Sequence, residues 1–257
     1  MSSIMMALED LKKDAWRRRE TDYIMPIWLP FLPTILVVVG IIAMFSSAFV
    51  GAFAVIGLIQ FFMGIILIFI GAIVGIFVIY KWINRRNDHF KRQHLFLGAL
   101  LDILKGLSQQ KGVNTDVLIA QIERDYREAE VEETEKSAVL WVILQVFLSC
   151  LVWFYIAHFL NRDFYKHEVR EDRILENCRR VLDALGIPVP AFKRPNPIPK
   201  RNTILYILLS LITLGIFSLY WVYTLTRDPN EHFKAHATWE DELIRALEAA
   251  ITTSTQQ

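Results

Sequence analysis

From Tyr23 to Tyr80 the chain runs 58 residues without one Asp, Glu, Lys, Arg or His. Hydrocarbon cannot hydrate a charge, and about 20 apolar residues already span a bilayer as a helix. A run of this length holds two such helices, so an integral membrane protein is expected. Two more stretches lack Asp, Glu, Lys and Arg: 137–159, with only His158 near its end, and 202–226. At ~1.5 Å per residue each reaches roughly 35 Å, enough for one crossing. The expected fold is all-α and multi-pass: four transmembrane helices, at about 27–48, 53–82, 137–159 and 202–226, plus amphipathic cytoplasmic helices.

The remaining charge is balanced, with 28 Lys and Arg against 27 Asp and Glu, which argues against a nucleic-acid partner. Only Cys150 and Cys178 occur, with no metal-ligand spacing between them and no disulfide framework. The first residues are charged (Lys12, Lys13, Arg17, Arg18, Arg19) and offer no cleavable signal peptide.

The segments follow from these breaks. Residues 1–22 read as an amphipathic N-terminal segment, with Ile4, Leu8, Leu11 and Ala15 on one stripe suited to a membrane surface or a solvated tail. Residues 23–110 form a transmembrane hairpin turning near Ser46, Ser47 and Gly51, then an amphipathic helix. Residues 111–186 contain neither Gly nor Pro between Gly112 and Gly186. They are expected to be one long helix containing the third span, straight or bent near Asn161. Residues 187–201, with five of the nine prolines, form an extended linker. Residues 202–251 hold the fourth span and an amphipathic helix, and 252–257 a disordered tail.

Two segments resemble each other. Gly75-Ile76-Phe77-Val78-Ile79-Tyr80 precedes Asn87-Asp88-His89-Phe90-Lys91, and Gly215-Ile216-Phe217-Ser218-Leu219-Tyr220 precedes Asn230-Glu231-His232-Phe233-Lys234. A fainter echo runs from Tyr155 through Arg162-Asp163 to His167. A repeated unit of span, polar collar and amphipathic helix is expected. The stretch Ile212 to Tyr223, ending in Thr226-Arg227-Asp228, resembles an uncharacterised prokaryotic membrane-domain family with a TLGIY–LYW hallmark, over about residues 200–235. Phe217 stands where that family usually has tyrosine. The resemblance implies a prokaryotic membrane protein and carries over no active site.

Lys and Arg at both ends of the first hairpin place the N-terminus in the cytoplasm of a multi-pass cell-membrane protein. Four strict crossings then put 161–201, with ten basic residues, outside, against the same rule. The conflict is relieved if the fourth run is a re-entrant hairpin turning at Leu214-Gly215, or if the first hairpin dominates.

Gly57, Gly64 and Gly71 recur every seven residues, and Gly75 follows Gly71 by four. Such stripes bring helices together, within one chain or between subunits. Gln60 and Gln145 are the principal amides inside the spans, which hold no Asp, Glu, Lys or Arg; proton-coupled transport usually needs such groups there. His232 and His236 are spaced i, i+4 with Glu240 one turn on, a weak metal-binding pattern that His89 and His94, five apart, do not keep. The acidic run Glu128 to Glu135 reads as a solvated helix face, with a cation or partner site as the alternative. No catalytic motif is found. The sequence therefore leads to a non-enzymatic scaffold or accessory subunit without a cofactor, partnered by the bilayer and by itself or a membrane complex; the alternative is an oligomeric channel or carrier for a small solute.

Overall fold

The structure, a computed structural model, describes residues 3–50, 54–192 and 194–255. Helix is the only regular structure among them. The turn expected at Gly51 and the last two residues of the tail lie outside the described residues.

Helix α1 (Ser3–Thr21) leads to a short 3-10 turn and α2 (Leu32–Ser47). Helix α3 runs unbroken from Ala54 to Lys111. Helices α4 (Asp116–Glu132), α5 (Ala138–Ala184), α6 (Thr203–Ile212) and α7 (Ile216–Thr255) follow. The stretch Leu29–Ser47 and the helix Val55–Lys111 are long and apolar enough to cross a membrane. They pack as a hairpin through the glycine stripe. A Cβ on Gly64 would come 2.6 Å from Gly40 O, one on Gly71 3.0 Å from Pro33 O, and one on Gly57 3.1 Å from Ser47 O. Gly75 has more room, 3.6 Å from Pro33 Cβ. The stripe thus faces α2 of the same chain. Gln60 Nε2 donates to Ser46 Oγ (2.6 Å) across this hairpin, while Gln145 Oε1 is buried without a hydrogen bond.

The expected third and fourth spans are not single straight helices. In α5 the backbone breaks at Ser149 (φ 35°, ψ −103°). The ring centroids of Trp141 and Phe159 then lie only 5.4 Å apart. Eighteen residues of straight helix would separate them by ~27 Å, so the run folds back on itself. The fourth run does the same. Leu214 (φ 49°) and Gly215 (φ 91°) turn the chain, and Tyr206 on α6 packs edge-to-face on Trp221 of α7 at 5.3 Å. At the base of that hairpin Arg201 pairs with Asp228 and donates to Tyr206 Oη (3.0 Å). The run is thus a hairpin turning at Leu214-Gly215 rather than one straight helix.

The long helix expected over 111–186 is also interrupted, at 133–137, although no Gly or Pro lies there. Tertiary hydrogen bonds make the break. Asn87 Nδ2 donates to Lys136 O (2.7 Å), Lys136 N donates to Asn87 Oδ1 (3.1 Å), and Arg86 donates to Thr134 O (2.7 Å). Ser137 then caps α5 by accepting from Leu140 N (3.2 Å).

The polar ends gather on one side into a bundle. Leu8, Leu11 and Ala15 of α1 are buried against α3, and α1 is tied to α7 by Arg18–Asp241 and Lys12–Glu248. α1 is therefore a bundle helix rather than a membrane-surface helix. Phe96, Leu100, Leu104, Cys178, Leu182, Leu243 and Leu247 fill the core. Helix α7 continues to Thr255, past the expected end at 251, and Ile251 is buried in that core.

Candidate metal centre

Helix α7 carries Pro229 in its interior. Proline has no N–H, so the carbonyl of Leu225 loses its helical donor. Arg85 of α3 replaces it, donating to Leu225 O (2.7 Å) and to Asn230 Oδ1 (2.9 Å). This joint locks α3 to α7 and sets the register of the next turn of each. One turn beyond Arg85 lies His89; beyond Pro229 lie His232 and, one turn on, His236. The two related pentapeptides therefore meet: His89 Nε2 lies 3.1 Å from His232 Nε2. His167 of α5 completes the group.

One ligand atom from each of His89, His167, His232 and His236 lies within 4.8 Å of all the others, and all four residues are buried. The outer nitrogens are engaged by carboxylates. Asp22 Oδ1 lies 3.1 Å from His89 Nδ1. Glu133 faces His167 Nδ1 at 3.0 Å, Glu168 faces His232 Nδ1 at 2.8 Å, and Glu240 faces His236 Nδ1 at 3.0 Å. A proton on Nδ1 of His167, His232 and His236 directed at its carboxylate leaves the Nε2 lone pair of each for the interior; His89 Nδ1, although near Asp22, makes no hydrogen bond. His167 Nε2 is buried with no hydrogen-bond partner. At 3.1 Å the Nε2 atoms of His89 and His232 either share one proton in a hydrogen bond or flank a cation. Outward carboxylates are the usual way a protein fixes the tautomer and orientation of ligating imidazoles.

A fifth carboxylate lies beside the four histidines. Glu171 Oε2 lies 3.0 Å from His236 Nε2, and Glu171 Oε1 accepts from Gln93 (2.6 Å). The carboxylates are themselves braced by guanidinium groups. Arg92 binds Asp22 and Glu240, each at 2.8 Å. Arg170 pairs with Glu133, and Arg194 pairs with Glu171. Arg194 comes from the Pro-rich linker, which crosses the bundle as a strap; there Ile198 N also donates to Glu168 (2.6 Å). Position 193 lies outside the described residues.

The electrostatics suit a cation. Burial holds the imidazoles of His232 and His236 well below their ordinary value, and lowers that of His89. Neutral imidazole is the ligating form. Burial works the same way on His167, but the Glu133 carboxylate outweighs it and raises that imidazole. Burial would raise Glu171, yet Arg194 and the surrounding histidines keep it below its ordinary value. Burial pushes Glu168 and Glu240 up to about 7, despite Arg194 and Arg92. Five carboxylates touch the histidines, and Arg92, Arg170 and Arg194 brace them.

Four imidazole nitrogens form a borderline donor set that suits zinc, iron, nickel or copper(II). Metal–imidazole bonds are ~2.0–2.1 Å, which puts neighbouring nitrogens ~3–3.4 Å apart and opposed ones ~4.2 Å apart. The 3.1 Å between His89 and His232 falls in the range for neighbouring ligands, and the 4.8 Å spread of the group exceeds the opposed distance by about 0.6 Å. No thiolate takes part: Cys178 is buried in the bundle core, where burial pushes its thiol up to about 12.

The sequence pattern pointed to His232, His236 and Glu240. The structure brings these three together, with Glu240 orienting His236 rather than lying among the inward donors. No spacing in the sequence marks His89, His167, Asp22, Glu168 or Glu171 as a ligand or support, and Glu133 stands out only as one acid of the 128–135 run. His89 and His167 had been noticed as matching positions of the repeated segments, and that was the available signal. His94 is elsewhere, stacked on Tyr126 at 4.2 Å.

A family profile described as a domain of unknown function (DUF4234) matches residues 201–253, which include α6, the α6–α7 turn, His232, His236 and Glu240. No curated protein and no solved structure matches the chain.

Proposed function

We propose that this protein is a membrane-anchored, non-enzymatic helical bundle organised around one divalent transition-metal ion, held by His89, His167, His232, His236 and Glu171. The observation that carries the reading is the convergence of four buried imidazoles whose outer nitrogens each face a carboxylate. The ligands come from α3, α5 and α7, so one ion ties together the three helices that emerge from the apolar hairpins. A structural role is favoured over catalysis by closure: none of the four histidines is more than 3% exposed. An open cleft of about 580 Å³ reaches Arg194, His232 and Trp239, but it meets His232 beside Arg194 and Glu168, which faces the outer nitrogen.

The membrane part of the reading has α2 and the first half of α3 crossing the bilayer, with the α5 and α6–α7 hairpins entering it and returning. Residues 161–201 then lie with the N-terminus and residues 81–92, and all three basic segments share the cytoplasmic side. This removes the conflict that four crossings create.

The test is elemental analysis of protein purified from membranes under mild conditions. About one equivalent of a first-row metal per chain is expected, and little in a variant with His89, His167, His232 and His236 all changed to Ala. Equal metal content in the two proteins would refute the proposal.

A further inference from the structure

The apolar part of the molecule has a different width at its two ends. Near the bundle, six helical segments lie side by side: α2, α3, the two arms of α5 on either side of Ser149, α6 and the start of α7. They are packed together there. Trp82 meets Trp153 at 5.9 Å, Phe154 meets Trp221 at 6.1 Å, and Met25, Val78, Ile156 and Leu225 are buried among them. The shorter hairpins then stop. The first arm of α5, Ala138–Ser149, and α6, Thr203–Ile212, each extend ~15–18 Å. That is about half of a ~30 Å hydrocarbon core. The tips carry bare apolar side chains: Phe147 is 79% exposed and Leu214 94%.

Beyond the tips, among the described residues, only α2 and α3 continue. The far part of this hairpin is exposed on its outer faces at Phe45, Ile42, Val55, Ile59, Phe62 and Phe69. No other described helix covers it. With a helix diameter of ~10 Å, four extra helices add roughly 300 Å² of cross-section to one leaflet alone. A solid body wider in one leaflet than in the other fits best where the wider leaflet is convex, because there the lipids need not splay or compress to surround it.

We propose that the protein is a wedge for the bilayer, concentrating in membrane that curves convexly toward its bundle side. The ligand class is the lipid surface itself, selected by shape rather than by headgroup. The inference rests on the re-entrant placement of the α5 and α6–α7 hairpins and is independent of the metal ion.

The test uses the full-length chain, tagged at its C-terminus with a fluorescent protein and reconstituted into phosphatidylcholine–phosphatidylglycerol vesicles of mixed size. Protease protection sorts bundle-out from bundle-in molecules, and single-vesicle imaging gives protein density per unit area. Bundle-out molecules are expected to be several-fold denser on the smallest vesicles than on the largest, and bundle-in molecules to lack that enrichment. In the same preparations, Phe147→Cys and Leu214→Cys are labelled with a dye read by depth-dependent quenching. Equal density on all sizes, with both tips at mid-bilayer depth, overturns the wedge and leaves the re-entrant placement standing. Reaction of the tips with an impermeant reagent from the side opposite the bundle overturns that placement and the wedge with it.

Discussion

His89 Nε2 and His232 Nε2 face each other at 3.1 Å inside the bundle, although 143 residues separate them in the chain. Each occupies the same place in an Asn-acidic-His-Phe-Lys pentapeptide following an apolar helix. The neighbouring phenylalanines, Phe90 and Phe233, are buried together with Phe164 under Ile198. Two segments that look alike in sequence thus meet in space as the two halves of one pocket.

Glu171 is the carboxylate beside His236 Nε2, so Glu171→Gln keeps its shape while removing its charge. Metal affinity is expected to fall about 10–100-fold, the range typical for perturbing a tuned metal site. Competition with a chromophoric chelator measures it, with circular dichroism confirming that the helices persist. Unchanged affinity would exclude Glu171 as a ligand.

Arg92 is fully buried between Asp22 and Glu240. Arg92→Met leaves both carboxylates buried without their shared cation, and a loss of ~3–5 kcal/mol is expected. Arg179→Met is the contrast. Its pairs with Glu176 and Asp183 are exposed and screened by solvent, and little or no change is expected. Denaturant unfolding in detergent, followed by far-ultraviolet circular dichroism, measures both.

Gly64 packs against α2 with no room for a side chain. A Cβ there would lie 2.6 Å from Gly40 O, a backbone atom that cannot swing aside. Gly64→Val is expected to separate the hairpin at a cost of at least ~1–3 kcal/mol. Gly75→Ala, where the nearest neighbour is at 3.6 Å, is expected to be nearly neutral. Thermal aggregation midpoints of the two variants rank them; equal midpoints would mean that α2 and α3 are not packed through this stripe.

Leu104 is fully buried in the bundle core. Leu104→Ala is expected to destabilise the bundle by ~2–5 kcal/mol through lost burial and the cavity left behind. The same substitution at Leu208, half exposed on α6 in the apolar belt, is expected to be far milder in detergent.

The helices and their apolar character were legible because charge patterning and 3.6-residue periodicity are local. The first hairpin and the stripes of α1, α3 and α7 follow from spacing alone. Three features were not legible, for one shared reason: each depends on contacts distant in sequence. The break at 133–137 contains no breaking residue and exists because Asn87 and Arg86 capture its carbonyls. The reversal at Ser149 has no local glycine, unlike the turn at Leu214-Gly215, which could be named as an alternative. The histidine cluster assembles from α3, α5 and α7 under a strap, so no ligand spacing within one helix could reveal it beyond the His232–His236–Glu240 fragment. Glu133 looked like one acid in a solvated run, yet its contact with His167 places it at the edge of the site.

X-ray absorption spectroscopy of the metal bound to protein purified from membranes tests the central claim most directly. A single nitrogen and oxygen shell at ~2.0–2.2 Å is expected, with the outer-shell scattering of three to four imidazoles and no sulfur. A spectrum without imidazole scattering, or one with a sulfur shell, would contradict a centre built from His89, His167, His232 and His236.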